Sequence, residues 1–150
     1  MLIQEISPDE SLLFLKHLHL GRLGCEQDSQ PYVVPFDFAC DGSYLYSFST
    51  VGQTINWARA NPLVCVQTDE VKSPQEWVSF VILGRYEELP DSPEWKAPRD
   101  LAFKLLQERA MWWEPGYAKT VIQGVERPLV PVYFRIQIVE ITGRRATSES

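Results

Sequence analysis

The sequence lacks the features that mark membrane and secreted proteins. It contains no run of about 20 apolar residues, which a membrane-spanning helix requires. The first residues, MLIQEISPDESLLFL, include no basic cluster and no small-residue cleavage site of the kind a secretory signal carries. We therefore expect a protein that has no membrane partner and that resides in the cytoplasm.

Positive charge is also scarce and dispersed. The chain has 14 Lys and Arg against 20 Asp and Glu, and its formal net charge is −6. Binding to nucleic acid depends on clustered basic side chains that neutralise phosphates. The sequence therefore predicts no nucleic-acid partner.

Residues that bind metals or act as nucleophiles are few. Cys25, Cys40 and Cys65 are far apart and each falls in a predicted strand, which favours buried free thiols over disulfides or a zinc site. His17 and His19 are two residues apart and therefore do not share a helix face. No phosphate-loop lysine motif, GxGxxG or GxSxG occurs. We predict no metal site and expect that, in an enzyme, a bound cofactor would supply the chemistry.

The residues that are present predict a mainly β fold. A length of 150 residues suits a single domain over residues 1–150. Period-two alternation, short apolar runs and turn residues predict six strands and three helices. The predicted strands are Leu20–Glu26, Pro31–Cys40, Tyr44–Ser49, Leu63–Gln67, Glu76–Leu89 and the segment within Pro128–Thr142. The helices are predicted from Pro8 to about His17, from Val51 to Asn61 and over Arg99–Met111. This content is typical of an antiparallel β-barrel with peripheral helices.

Local signals define several of these boundaries. Ser7 followed by a proline and two acidic residues predicts a capped helix start. Asp41-Gly42 predicts a tight hairpin. Pro35 places its strand at a sheet edge or in a bulge, where unpaired backbone groups are free to bind a ligand. A simple edge strand that binds no ligand explains the proline equally well.

Other segments are predicted from composition alone. Leu63–Gln67 is continuously apolar and suits a central strand that is buried on both faces. The polar segments Thr68–Gln75 and Gly143–Ser150 are expected to be a loop and a frayed tail.

The stretch Tyr44–Pro62, YLYSFSTVGQTINWARANP, combines a strand end with a helix start. Thr50 and Gln53 fit a capping box, which predicts a helix that begins at Val51. Unpaired helical N–H groups beside hydroxyls can bind an anion. An ordinary capped helix explains the local pattern as well.

An ordered series of segments resembles the pyridoxamine 5'-phosphate oxidase-like, FMN-binding split-barrel proteins, and especially small flavin-nucleotide-binding members related to nitroimidazole-resistance proteins. The segments are HLGRLGCEQDSQPYVVPFDFACDG, LYSFSTVGQTINWARANPLVCVQTDEV, WVSFVILGRYEELPDSPE, RAMWWEPGY and VYFRIQIVEITGRRA. The resemblance covers roughly residues 19–146. It implies a six-stranded antiparallel split barrel that forms a homodimer, with FMN bound in grooves between the subunits.

The resemblance also implies which residues would hold the cofactor. The isoalloxazine ring would lie along the strand segment Val34, Pro35, Phe36 and Asp37, contacted mainly by backbone groups. The phosphate would be held by the strand end and turn, at Ser47, Phe48, Ser49, Thr50, Gln53 and Thr54. Trp77, Ser79, Trp112 and Trp113 would be candidates to wall the ring, although the tryptophans would serve equally well in a dimer core.

One position departs from the family pattern. Relatives commonly carry a lysine where this chain has Thr54, so the phosphate would lose a positive partner. Arg22, Arg59 and Arg85 are the candidates to replace it. The catalytic residues stay unassigned.

The resemblance favours an FMN-dependent oxidoreductase that passes electrons between a small-molecule donor and acceptor. The alternatives are a non-catalytic flavin carrier and a haem-binding split barrel that uses His17 or His19 as the axial ligand. Pyridoxamine phosphate oxidase activity itself is not expected, because the basic residues for a second phosphate ester are missing.

Overall fold

The structure, a computed structural model, describes residues 1–108, 120–127 and 131–148. These residues form ten strands, three α-helices and one short 3-10 helix, Pro93–Trp95. In chain order the elements are β1 (Leu2–Ile6), α1 (Pro8–Leu15), β2 (Leu20–Gln27), β3 (Gln30–Asp37), β4 (Ala39–Cys40), β5 (Tyr44–Thr50), α2 (Gln53–Ala60), β6 (Leu63–Ser73), β7 (Glu76–Glu88), α3 (Lys96–Gln107), β8 (Thr120–Ile122), β9 (Val125–Arg127) and β10 (Pro131–Thr147).

Eight strands form one antiparallel sheet that curls on itself. Its order is β3-β2-β6-β7-β10-β5-β4, with β1 paired to β10, while β8 and β9 form a separate hairpin. β3 and β5 lie near opposite ends of this order, yet the Ser47 hydroxyl on β5 donates a hydrogen bond to the Asp37 carbonyl on β3 over 2.6 Å. The sheet is therefore an antiparallel barrel that is split between β3 and β5, and the predicted fold is confirmed.

The barrel interior is the hydrophobic core. Phe38, Leu45, Phe80, Ile82 and Ile136 are completely buried there. The helices lie around the sheet and each directs small or apolar side chains inward; α2, for example, buries Ile55 and Ala58. None of the helices in the described ranges has both the length and the apolar character needed to span a bilayer.

Two predicted turn signals are confirmed. The Ser7 hydroxyl accepts a hydrogen bond from the Glu10 amide and caps α1. The Asp41 carboxylate accepts from the amides of Ser43 and Tyr44, and Gly42 has φ of +100°, as the tight β4–β5 hairpin requires. Both features depend only on neighbouring residues, which is why the sequence predicts them.

The predicted capping box is wrong. Thr50 remains in β5 because it pairs with Pro131 on β10, so it cannot cap a helix. The helix begins at Gln53, two residues later than expected, and Gly52 occupies the cap position without a side-chain hydrogen bond. Strand pairing has overridden the local capping pattern here.

The prediction for β6 is wrong in two respects. The strand does not end at Gln67 but continues to Ser73, because its polar second half pairs with β7. It is also not buried on both faces within one chain: Leu63 and Cys65 face outward and are exposed. Cys65 therefore differs from Cys25 and Cys40, which are buried as expected.

Pairing also extends or divides other predicted elements. The expected frayed tail from Gly143 joins β10 as far as Thr147, where it pairs with β7 and with the unpredicted strand β1. The expected strand Pro31–Cys40 divides at Phe38 into β3 and β4. The last helix spans Lys96–Gln107 instead of starting at Arg99, and it therefore includes part of the expected linker.

Candidate functional site

The unpaired edge of β3 lies beside the end of β5 at the split of the barrel, and we call the region between these two strands and the start of α2 the cleft. β3 pairs only with β2, in a regular register, so Pro35 lies in an edge strand without a bulge. Val34 and Phe36 are half-buried, whereas Pro35 and Asp37 are exposed. Because the Asp37 carbonyl meets β5, strand periodicity directs the carbonyl of Pro35, which has no N–H, toward the same free edge. This edge can offer backbone hydrogen bonds to a ligand.

Asp37 also carries a carboxyl group at the mouth of the cleft. Burial raises the pKa of this carboxyl above its ordinary value. His19 lies beside this carboxyl, with its Nδ1 3.8 Å from Asp37 Oδ1. Both side chains remain more than 60% exposed, so they are accessible to a ligand in the cleft.

The end of β5 forms the second wall. Ser47 is buried and its hydroxyl is committed to the Asp37 carbonyl, so it holds the cleft together. Phe48 packs against Tyr133 with 5.7 Å between ring centroids. Ser49 is exposed, and its hydroxyl makes only a 3.3 Å contact with the Thr50 carbonyl. Ser49 is therefore much freer to bind a ligand than Ser47.

The start of α2 completes the cleft. The backbone at Gly52 is extended, no side chain caps the helix, and no acidic residue lies in the first turn. A Cβ placed on Gly52 would meet no atom within 4 Å, so the approach to the helix start is open. The side chains of Thr50, Gln53 and Thr54 make no hydrogen bond within the part of the chain that the structure describes. Unpaired N–H groups and hydroxyls at this point fit an anion such as a phosphate.

None of the three arginines considered from the sequence is placed to replace the missing lysine. Arg59 forms an ion pair with Glu88 over 2.8 Å at the other end of α2. Arg22 lies 3.8 Å from Asp69. Arg85 is exposed on the outward face of β7, in register through Gln137 with Tyr44 at the opposite end of β5 from Ser49.

The remaining predicted residues do not join this cleft within one chain. Ser79 lies on the outward face of β7, three strands or about 14 Å from Asp37 at the usual strand spacing. Trp77 is two residues further along β7, in a pocket with Phe14 and Arg145. Trp112 and Trp113 lie outside the described residues.

The structure also brings together residues that the sequence did not single out. On the outward face, the Gln67 amide donates to Asp69 over 2.8 Å and to Ser79 over 3.3 Å. Across the cleft, Trp57 of α2 contacts Tyr32 of β3, with 5.5 Å between centroids. Trp57 follows Gln53 by four residues and so shares its helix face, a signal that was available in the sequence.

Side chains that could bind a metal ion are dispersed in the described residues. In the described ranges, no cluster of three or more His, Cys, Asp or Glu side chains could hold a metal ion. The fold defines the class of protein: a split barrel with an open strand edge and an uncapped helix start at the split.

Comparison with known proteins identifies the family. The family model described as pyridoxamine 5'-phosphate oxidase matches residues 7–145. The chain belongs to this family, and the resemblance seen in the sequence is confirmed.

Individual relatives agree with this assignment. An uncharacterised protein of Rhizobium meliloti (strain 1021) is 39% identical over 146 residues, which is 97% of each chain. A crystal structure described as a FAD-binding protein from Mesorhizobium loti is 40% identical, with a TM-score of 0.80 over 99% of each chain. A structure described as a candidate 5-nitroimidazole antibiotic resistance protein from Bacteroides thetaiotaomicron shares the fold, with 17% identity and a TM-score of 0.64 over 96% of this chain and 87% of the other.

Proposed function

We propose that this protein is a flavin-nucleotide-binding oxidoreductase that uses FMN, or the FMN half of FAD, in the cleft between β3, β5 and α2. The observation that carries the proposal is the Ser47–Asp37 hydrogen bond, which unites the open strand edge and the hydroxyl-rich turn in one cleft. The 40% identical relative is described as a FAD-binding protein, which supports a flavin as the ligand.

The two walls of the cleft match the two ends of a flavin nucleotide. The edge of β3 at Pro35 and Asp37 would hold the isoalloxazine ring through backbone groups, while Phe36 shields it from the barrel side. Ser49, Thr50 and the start of α2 would hold the phosphate. When bound, the flavin supplies the capacity to accept and release a hydride or single electrons. The chain's own residues orient the ring and limit access of water to it.

The charge of the protein around the expected phosphate position affects which flavin nucleotide binds more tightly. Thr54 offers a hydroxyl where relatives have a lysine, and Arg59 is already paired with Glu88. The terminal phosphate of FMN carries close to two negative charges at neutral pH, whereas each phosphate of FAD carries one. A site of hydroxyls and N–H groups without a cation is better suited to the lower charge. We therefore expect FAD to bind at least as tightly as FMN.

We further propose that the protein functions as a homodimer. Five side chains form an apolar outward face, defined here as the apolar face: Val33, Leu63, Cys65, Leu83 and Val139. Four of these are large hydrophobic side chains whose exposed fractions range from 49% to 68%. A contiguous exposed apolar surface on a sheet usually marks an interface. A second copy could bury its own identical face against it by two-fold symmetry.

The cysteines support a cytoplasmic location. All three are free thiols. Reduced cysteines are the normal state in the cytosol. Donor and acceptor would accordingly be small molecules of that compartment.

The proposal is tested with full-length protein purified from its native host. An absorption spectrum should show a flavin band, and mass spectrometry of the released ligand identifies FMN or FAD. Apo-protein is then titrated with FMN, FAD and riboflavin, and a ligand at about 100 times its Kd should stabilise the fold by about 2.7 kcal/mol. Lack of any flavin binding would contradict the proposal. Bound flavin without turnover of NADH or NADPH would indicate a carrier, and a Soret band would indicate haem.

A further inference from the structure

The C-terminal half of α2 is held by a charged network that lies outside the cleft. Arg59 Nε donates to Glu88 Oε1 over 2.8 Å, and its Nη2 donates to Oε2 over 3.3 Å. The Tyr86 hydroxyl donates to the same carboxylate over 2.8 Å. A two-point contact between a guanidinium and a carboxylate fixes direction as well as distance. The network therefore fixes α2 against β7.

The same half of the helix is also tied to the opposite wall. The Asn61 amide donates to Glu26 of β2 over 3.0 Å, and Trp57 packs on Tyr32 of β3. The side chains of Gln53 and Thr54 make no hydrogen bond within the described residues. Ile55 and Ala58 seat α2 on the core, and the contacts of Arg59 and Asn61 add to them in fixing the direction of the helix and of its first turn.

We propose that Arg59 and Glu88 are positioning residues that hold α2 so that Gln53 and Thr54 stay at the phosphate end of the bound flavin. This inference rests on the proposed function. Neither residue contacts the phosphate, because Arg59 lies six residues, or about 9 Å of helix, from Gln53. The pair acts by fixing the helix that carries the phosphate contacts.

A purely electrostatic role makes a different prediction. Glu88 is paired with Phe134 in register, and Phe134 with Ser47, so Glu88 lies two strands or about 10 Å from Ser47 and further from Ser49 at the phosphate end. The Debye length is about 8 Å at physiological ionic strength, so charges at this distance interact weakly there and more strongly in low salt. If charge alone mattered, loss of the Arg59 cation would weaken phosphate binding, whereas loss of the Glu88 anion would strengthen it. A positioning role predicts that both losses weaken it.

The test compares FMN with riboflavin, which has the same ring and no phosphate. Dissociation constants for both ligands are measured by flavin fluorescence for wild type, Arg59→Met, Glu88→Gln and the double variant. We expect FMN to bind about fivefold more weakly in all three variants, as for loss of a helix-terminus contact. Riboflavin affinity should not change, and the double variant should be no worse than either single one.

The control is Lys96→Met, which breaks an ion pair with Asp100 on α3 that is more exposed than the Arg59–Glu88 pair. It should leave both affinities unchanged. Tighter FMN binding by Glu88→Gln would overturn the positioning role in favour of charge. Equal losses for FMN and riboflavin, or no loss, would also overturn it. Failure of the wild-type protein to bind any flavin would instead overturn the proposed function, and the inference with it.

Discussion

Two serines on β5, two positions apart, serve different purposes. Ser47 is 2% exposed and joins β5 to β3, while Ser49 points to solvent at the mouth of the cleft. Resemblance to the family assigns both to the phosphate, but only Ser49 has a hydroxyl that remains available. The difference arises from the position of the Asp37 carbonyl, which depends on how the whole barrel closes and cannot be read from the neighbouring residues.

Removal of the available hydroxyls should affect only flavins that carry a phosphate. In Ser49→Ala/Thr50→Ala we expect FMN to lose about 1.5–3 kcal/mol of binding free energy, typical of hydrogen bonds to a charged group. Riboflavin should bind as it does to wild type, because the ring contacts are unchanged. Titration with both ligands measures this. Unchanged FMN affinity in the double variant would show that the phosphate is not held here.

The comparison variant is Ser47→Ala. Loss of this hydroxyl leaves the Asp37 carbonyl without its partner and loosens the junction of β3 and β5. Its effect should therefore appear in the free energy of unfolding and in the affinity for riboflavin as well as FMN.

Gly84 illustrates a second constraint at the scale of one residue. It faces a register shift in β10 between Ile138 and Glu140. A Cβ at this position would lie 2.5 Å from Ile136 Cγ2 and 2.7 Å from the Gln137 carbonyl oxygen, both too close. A glycine at this position therefore allows the close approach of the two backbones.

Gly84→Ala should therefore destabilise the fold. We expect the free energy of unfolding to fall by about 1–3 kcal/mol, the usual cost of overpacking a well-packed site. Urea unfolding measures the loss. Gly52→Ala is the control, since an added Cβ there meets no atom within 4 Å, and its change should stay within about 1 kcal/mol. Equal losses in the two variants would contradict the packing argument.

At the scale of helices and strands, signals between neighbouring residues predicted where an element starts or turns better than they predicted its length. The cap at Ser7 and the Asp41-Gly42 hairpin each need only a few adjacent residues. The second half of β6 and the end of β10 are polar and look like loops, but pairing with β7 and β1 makes them strands. Those partners lie elsewhere in the chain, so composition alone could not reveal the pairing.

In the cleft, too, features set by neighbouring residues were predicted and a contact between distant residues was not. The sequence predicted a strand end followed by a helix start, and both are present. It did not predict the Arg59–Glu88 pair, whose members are 29 residues apart and meet only after folding. Burial of the Glu88 carboxyl opposes its ionisation, but hydrogen bonds from Arg59 and Tyr86 outweigh it, so the pKa of Glu88 lies below its usual value.

This lowered pKa makes the attachment of α2 sensitive to acid. Because the pKa is lower in the folded chain than in the unfolded one, the ionised carboxylate stabilises the fold above the unfolded value. The contribution is lost as the pH falls below that value and through the folded pKa. Urea unfolding of wild type and Glu88→Gln from pH 7 to pH 3 should show a stability gap that narrows in acid. A gap of constant size would contradict the assigned pKa shift.

At the scale of the whole molecule, the apolar face is the clearest unexplained surface. The sequence predicted that the first half of β6 is buried on both sides, and one chain buries only the inner side. A strand of this composition at the centre of a sheet normally has cover on both faces. A second copy of the chain would supply the missing cover and would restore the predicted environment of Leu63 and Cys65.

This argument predicts the effect of a charge within the apolar face. Wild type should sediment at twice the 17.3 kDa chain mass, and Leu83→Asp should sediment as a monomer, because burying an unpaired carboxylate is too costly. Cys65 reports the same event, since Cys25 and Cys40 are buried. Its thiol should react slowly with a thiol reagent in wild type and rapidly in Leu83→Asp. Leu13→Asp, on an exposed position of α1, is the control and should stay dimeric. A Leu83→Asp protein that remained a dimer with a protected thiol would exclude this face as the interface.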